Sequence, residues 1–295
     1  MGVSKRIKRY TGRHALVDNI PYVMPIHSKD SPALFAGFQI NAEKAEKFLP
    51  GNELHPFRLW NGKGILLIAV IDYLETSIGK YIEFSIGIAC THGHKSAPRM
   101  LPGLFMGHYG TGQFVVDLPV STEISVKGGK GIWGMPKHQA NLDFQINDEV
   151  VSSQYEKDGQ FAMRIEIDRP KKSWIPLNVN AVNYCQFRNM LMASHINFKG
   201  KAGLNLFGKA SARLYIGDHP KTAPLRELDI DENAFLTMFI PESNGILDDY
   251  FESWFLTYDE APDAMPEGLE SVIDLDLNEE WPEPPSISDY DQFKV

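Results

Sequence analysis

Apolar residues recur at every second position along most of this chain. In YIEFSIGI, residues 81–88, Ile82, Phe84, Ile86 and Ile88 fall on one face, with Tyr81, Glu83 and Ser85 on the other. In 138–146, Ala140, Leu142, Phe144 and Ile146 alternate with Gln139, Asn141, Asp143 and Gln145. In 160–167, Phe161, Met163, Ile165 and Ile167 alternate with Gln160, Arg164 and Glu166. Further strands are predicted at 34–40, 65–73, 113–118, 211–216 and 235–240, many of them separated by hairpin punctuation such as INDE and EKDG. Helical signals are few. Residues 41–49 open on Asn41 as a predicted N-cap and stop at Pro50. In 245–255, Ile246, Leu247, Tyr250, Phe251 and Trp254 recur at three- and four-residue spacings, which predicts a helix packed on a sheet. The pattern predicts a mostly β fold (β-rich α+β), one large antiparallel sheet or barrel with a few peripheral helices. In a barrel with an internal cavity, one face of every strand points at whatever is bound.

Composition adds a boundary. The chain has 295 residues, 43% of them hydrophobic and 23% charged, the balance of a folded protein. No run of about 18 apolar residues predicts a membrane span, and the basic start lacks the apolar stretch of a secretory signal. Two cysteines, Cys90 and Cys185, make no disulfide framework, which fits a reducing cytoplasm. Residues 259–295 hold twelve acids and one lysine, more than the whole formal net charge of −9. The division expected is a basic arm (1–19), a single domain (20–258) and an acidic tail (259–295) with apolar anchors such as Leu269 and Trp281. No basic stripe with interleaved aromatics extends past residues 5–13, so the expected partner is a small molecule and not nucleic acid.

Three stretches carry candidate chemistry. Gly129, Gly131 and Gly134 match the spacing of a dinucleotide fingerprint. That fingerprint needs a buried strand before it and a helix after it, whereas composition reads 128–134 as a glycine-rich loop and an alternating run follows. Cys90, His92 and His94 would share a strand face, a ligand pattern for zinc, but the histidines fall where the strand gives way to a loop. The third is Lys137. A lysine attacks carbonyl carbon only as the neutral amine, and apolar surroundings disfavour an ammonium. Ile132, Trp133 and Met135 are neighbours that exclude water, and Pro136 fixes the backbone ahead of Lys137. His138 is a second candidate cation, but it faces away if a strand begins at Lys137.

The segment EISVKGGKGIWGMPKH resembles the active-site segment of the acetoacetate decarboxylase superfamily, whose Schiff-base lysine aligns with Lys137. AEKAEKFLPGNEL resembles the early helix of that family, SIGKYIEF its Gly-x-Tyr-x-Glu strand, and ASARLYIGDHPKTAPLRELDI its late strand, so the similarity spans residues 20–255. The resemblance implies a barrel-like fold, a homo-oligomer, and neither an organic cofactor nor a metal. It implies Lys137 as the iminium-forming amine, activated by desolvation or a neighbouring cation, and Glu83 as the proton shuttle. Tyr81, Trp133, Met135, His138 and Arg99 complete the expected substrate site.

The departures bear on the substrate. His138 stands where the family's decarboxylase has a second lysine. Counting back along the preceding strand puts Ile68 where it has another glutamate, with Asp72 the nearest acid, and no arginine occurs between Arg13 and Arg58. The expected reaction is decarboxylation of a β-keto acid, not necessarily acetoacetate, with Arg99 or Arg58 gripping the carboxylate. The alternatives are aldol addition with loss of water through the same enamine, a non-catalytic small-molecule-binding barrel, and a metal enzyme built on Cys90, His92 and His94.

Overall fold

The computed structural model describes residues 12–259; the first part of the basic arm, and the acidic tail beyond Asp259, lie outside the described residues. A hairpin of β1 (Arg13–Val17) and β2 (Ile20–Met24) runs into the long strand β3 (Ile26–Ile40). Helix α1 (Ala42–Glu46) leads to β4 (Leu54–Pro56), β5 (Gly64–Tyr73), β6 (Glu75–Thr76) and β7 (Tyr81–His92). Helix α2 (Leu101–Leu104) precedes β8 (Gly112–Val120), and helix α3 (Glu123–Trp133) precedes β9 (Lys137–Gln139). There follow β10 (Asn141–Leu142), β11 (Gln145–Ile146), β12 (Val150–Lys157), β13 (Gln160–Asp168), β14 (Ile175–Phe187), β15 (Met190–Leu206), β16 (Ala212–Ile216) and β17 (Ala234–Phe255).

Seven strands close on themselves in the order β7-β5-β3-β17-β15-β14-β8, with β8 pairing back to β7. Every pairing in this barrel is antiparallel except β14 with β8. Strand β9 adds to the outside edge of β8, also in parallel. A second sheet, β10-β12-β13-β16 with β11 attached to β12, covers part of the barrel's outer surface.

The two-residue period decides which side chains face where. Leu66, Ile68 and Val70 of β5 and Phe84, Ile86 and Ile88 of β7 point outward into one cluster with Val151, Tyr155, Ile165 and Ile167 of the second sheet. All ten are essentially inaccessible to solvent, and each such burial stabilises by roughly 1.5–3 kcal/mol. The opposite face of the same strands, including Ala69, Ile71, Tyr73, Tyr81, Glu83 and Ser85, points into the barrel. The polar face of 81–88 is therefore an interior face.

Most predicted elements are observed, α1 included: the Asn41 side chain accepts from the N–H groups of Glu43 and Lys44 at 3.0 and 3.1 Å. Three are corrected. Residues 245–255 are the end of β17, not a helix. Inside this run the register of β17 slips against β15, where Leu247 faces Ile196 but Phe251, four residues on, faces Ser194. Such bulges reset the phase of alternation and leave apolar spacings that imitate a helix. Tyr250 and Phe251 of the supposed buried face are exposed. The run 138–146 is broken into β9, β10 and β11. The glycine-rich stretch before Lys137 is not a loop but the body of α3. Its glycines serve close packing: a Cβ on Gly128 would sit 2.6 Å from Tyr22 and one on Gly131 2.6 Å from Val17.

Candidate active site

Helix α3 ends on Gly134, whose left-handed backbone (φ 63°) lets its N–H reach the carbonyls of Gly129 and Lys130. The Met135 N–H also reaches the Gly129 carbonyl, at 3.1 Å. Pro136 then leads straight into β9, where Lys137 pairs with Leu118. This tight reversal folds the Lys137 side chain back against the helix it has just left. Only 4% of Lys137 is exposed.

The Lys137 amine lies 2.7 Å from Oε2 of Glu83 on β7. It also donates to the Ser125 hydroxyl of α3 at 3.0 Å and stands 5.4 Å from the centre of the Tyr81 ring. Tyr81 stacks on Tyr73 with ring centres 4.6 Å apart. Burial, reinforced by the Glu83 charge, pushes both phenols well above their ordinary range, so both keep their protons. The result is a buried amine, a carboxylate and two phenol hydroxyls lining a largely apolar cavity, with the Ser125 hydroxyl held against the amine.

Four of the predicted site residues line that cavity together: Lys137, Glu83, Tyr81 and Met135. Three do not. Trp133 is buried behind Met135, its indole N–H donating to the Asp248 carbonyl at 3.2 Å. His138 points to the other side of β9, as strand alternation requires. There its Nε2 lies 2.9 Å from the buried Asp117 carboxylate, and the Tyr155 hydroxyl donates to the same carboxylate at 3.1 Å. Arg99 is remote, donating to the Trp60 carbonyl at 3.1 Å. Arg58 pairs with Glu46 at 3.7 Å. Neither arginine reaches the cavity. The count that paired Ile68 with the family's other glutamate falls on the wrong face, since Ile68 is in the outer core. The interior positions of β5 are Ala69, Ile71 and Tyr73, none of them an acid, and Asp72 does not line the cavity.

Two hydroxyls near the amine are not among the residues expected from the sequence. Ser125 could be found only by recognising α3, which its glycines disguise. Tyr73 was discoverable, because it continues the phase of Ala69 and Ile71 into the cavity. Of the metal candidates, Cys90 is in the core with its thiol pushed up by burial, His92 packs 4.4 Å from the Trp254 ring, and His94 is exposed. Among the described residues no group of three such side chains is placed to hold a metal.

The Asp117 cluster fixes the strand that carries Lys137. Asp117→Ala removes the acceptor shared by His138 and Tyr155, two groups that are partly or wholly buried. It is expected to cost about 3 kcal/mol of folding stability, read from the denaturant midpoint at constant m-value. A loss below about 1 kcal/mol would contradict that role.

The sequence matches a family model described as acetoacetate decarboxylase (ADC) over residues 8–239. No curated protein matches it. Among solved structures, acetoacetate decarboxylase from Legionella pneumophila subsp. pneumophila str. Philadelphia 1 superposes with a TM-score of 0.58 at 12% identity, covering 78% of this chain and 87% of that one. The enduracididine biosynthesis enzyme MppR, complexed with the condensation product of pyruvate and imidazole 4-carboxaldehyde, gives 0.53 at 14% identity, with 78% and 88% covered. An acetoacetate decarboxylase-like enzyme from Sphingomonas wittichii RW1 gives 0.51 at 13% identity, with 78% and 93% covered. At such identities the likeness speaks to the fold.

Proposed function

The chain belongs to the acetoacetate decarboxylase family, and on that premise we propose that it is a lyase acting on a keto acid or related carbonyl compound through a Schiff base on Lys137. The observation that carries this reading is the contact between the buried Lys137 amine and Glu83, 2.7 Å apart in the lining of a largely apolar cavity. Glu83 takes a proton from the ammonium, and the neutral amine attacks the substrate carbonyl carbon. One N–H proton of the adduct moves to the oxygen, Glu83 gives its proton to the same oxygen, which leaves as water, and the iminium remains. The Ser125 hydroxyl oxygen is placed to accept from the nitrogen's N–H, and the Tyr81 ring stands beside its positive charge.

With a β-keto acid, the bond to the carboxylate carbon breaks and its electron pair moves onto the iminium nitrogen, releasing carbon dioxide and an enamine. Protonation of the enamine carbon, with Glu83 as the relay, regenerates the iminium. Water then releases the ketone and returns the amine. Met135 and the Tyr81 ring keep bulk water from the reacting centre.

A second reading has support from the lining of the cavity. Lys137 is the only cation among the described residues that line it, so no guanidinium stands ready for a substrate carboxylate. The same enamine would then add to an aldehyde and eliminate water. Carbon dioxide release from acetoacetate, set against condensation of an uncharged ketone such as acetone with an aldehyde, separates the two.

The test common to both readings is reductive trapping. Incubation with a panel of keto acids and aldehydes, followed by borohydride, is expected to leave one covalent mass increase located on Lys137. Adducts confined to surface lysines would eliminate both.

A further inference from the structure

The lining of the cavity beyond the amine narrows the substrate. Lys137 and Glu83 are the only charged residues among the described lining groups, and they neutralise each other at 2.7 Å. Away from them two apolar rows run along the walls. Across β14 and β15, Ala181 faces Ile196 and Val179 faces Phe198. Across β17, β3 and β5, Met238 pairs with Phe35 and Phe35 with Ala69. The other polar groups of this lining, apart from the tyrosines, are Ser28, Thr76, Ser85, Gln113 and Asn183, all uncharged; Gln113 Nε2 donates to Asn183 Oδ1 at 2.8 Å and the Thr76 hydroxyl to the Gly79 carbonyl at 2.6 Å. Val179, 38% exposed, marks the opening. It lies four residues, about 13 Å, along β14 from Asn183.

We propose that the site takes a carbonyl compound whose other substituent is an extended apolar chain of several carbons, uncharged along its length and at its far end. This rests on the Schiff-base reading and says what the amine is presented with. The amine and Glu83 handle the carbonyl, and any carboxylate lost in the reaction, at the closed end. The corridor takes up the chain. A charged group inside the corridor would be stripped of water with no counter-ion to receive it, and that desolvation excludes short, doubly charged keto acids from this direction.

The test is a homologous series of methyl ketones, from acetone to 2-nonanone, read as the half-saturating concentration for borohydride trapping on Lys137. That concentration is expected to fall roughly fourfold for each added methylene, over at least the first four. 7-Oxooctanoate, the length of 2-octanone but ending in a carboxylate, is expected to need on the order of 100-fold more. Ala181→Phe, which fills the corridor part-way, should flatten the series. The unsubstituted chain decides the matter alone if that variant does not fold.

The matching secondary alcohols cannot form an iminium, so the thermal stabilisation they give reports the corridor by itself. Ketones trapped on Lys137 with no chain-length dependence in either series would overturn this inference alone. So would 7-oxooctanoate binding as well as 2-octanone. Chain-length dependence in the alcohols with no adduct on Lys137 would overturn the Schiff-base reading and leave the apolar occupant standing.

Discussion

Lys137→Met should remove the trapped adduct entirely and lower turnover by on the order of 10⁴-fold or more, the cost of losing a covalent nucleophile. The methionine is close in volume, so the loss is chemical and not a matter of space. The same substitution also strands Glu83, whose side chain is only 12% exposed. Breaking one half of a buried ion pair costs about 3–5 kcal/mol, because the remaining charge has no partner. Adding Glu83→Gln to Lys137→Met removes that stranded charge. The double variant should regain most of the stability and none of the activity. Denaturation midpoints for wild type, both single variants and the double close the cycle. Turnover within tenfold of wild type in Lys137→Met would end the Schiff-base reading.

The second large effect is expected from Gly129→Ala, a substitution outside the cavity. A Cβ at Gly129 would lie 2.3 Å from Cδ and 2.8 Å from Cε of Lys137. The lysine side chain is flexible, so it will give way before the helix does. Its amine then leaves the position it holds between Glu83 and Ser125. A displacement of about 1 Å at a reacting centre costs on the order of 100-fold in rate. Stability should change little, because alanine improves the helix by about 1 kcal/mol over glycine, against the strain of moving the lysine. A fall in kcat at nearly constant Tm is the expected signature. Unchanged kcat and trapping rate would mean that α3 does not set the position of the amine.

Much of this arrangement was legible in the sequence, and the exceptions have physical causes. The alternation at 81–88 is clean because β7 has one face in the outer core and one partly polar face in the barrel, whereas 65–73 is an almost continuous apolar run because both faces of β5 are covered. The phase of 81–88 accordingly put Tyr81 and Glu83 on one face, and in the structure both line the cavity with Lys137. Helix α3 was illegible because its glycines, the residues least favourable to a helix after proline, are there to admit Lys137, Tyr22 and Val17. The end of β17 imitates a helix in sequence because a slip against β15 between Leu247 and Phe251 breaks its period. The count back along β5 lands on Ile68, a residue of the outer core, because a count along the chain, unlike a face, does not carry phase. The identity of the partner of His138 was beyond reach, since Asp117 and Tyr155 come from strands far apart in sequence.

The two faces of the barrel strands have a consequence for how such a chain can change. Residues of one parity hold the fold together by packing against the second sheet, and residues of the other parity line the cavity. Stability and selectivity are thus written in interleaved alphabets on the same strands. Substitutions at interior positions such as Ala69, Ala181 or Met238 can alter what the cavity accepts while leaving the outward packing intact. A barrel of this kind can exchange one guest for another without renegotiating its own architecture, provided the lysine and the helix behind it stay in place.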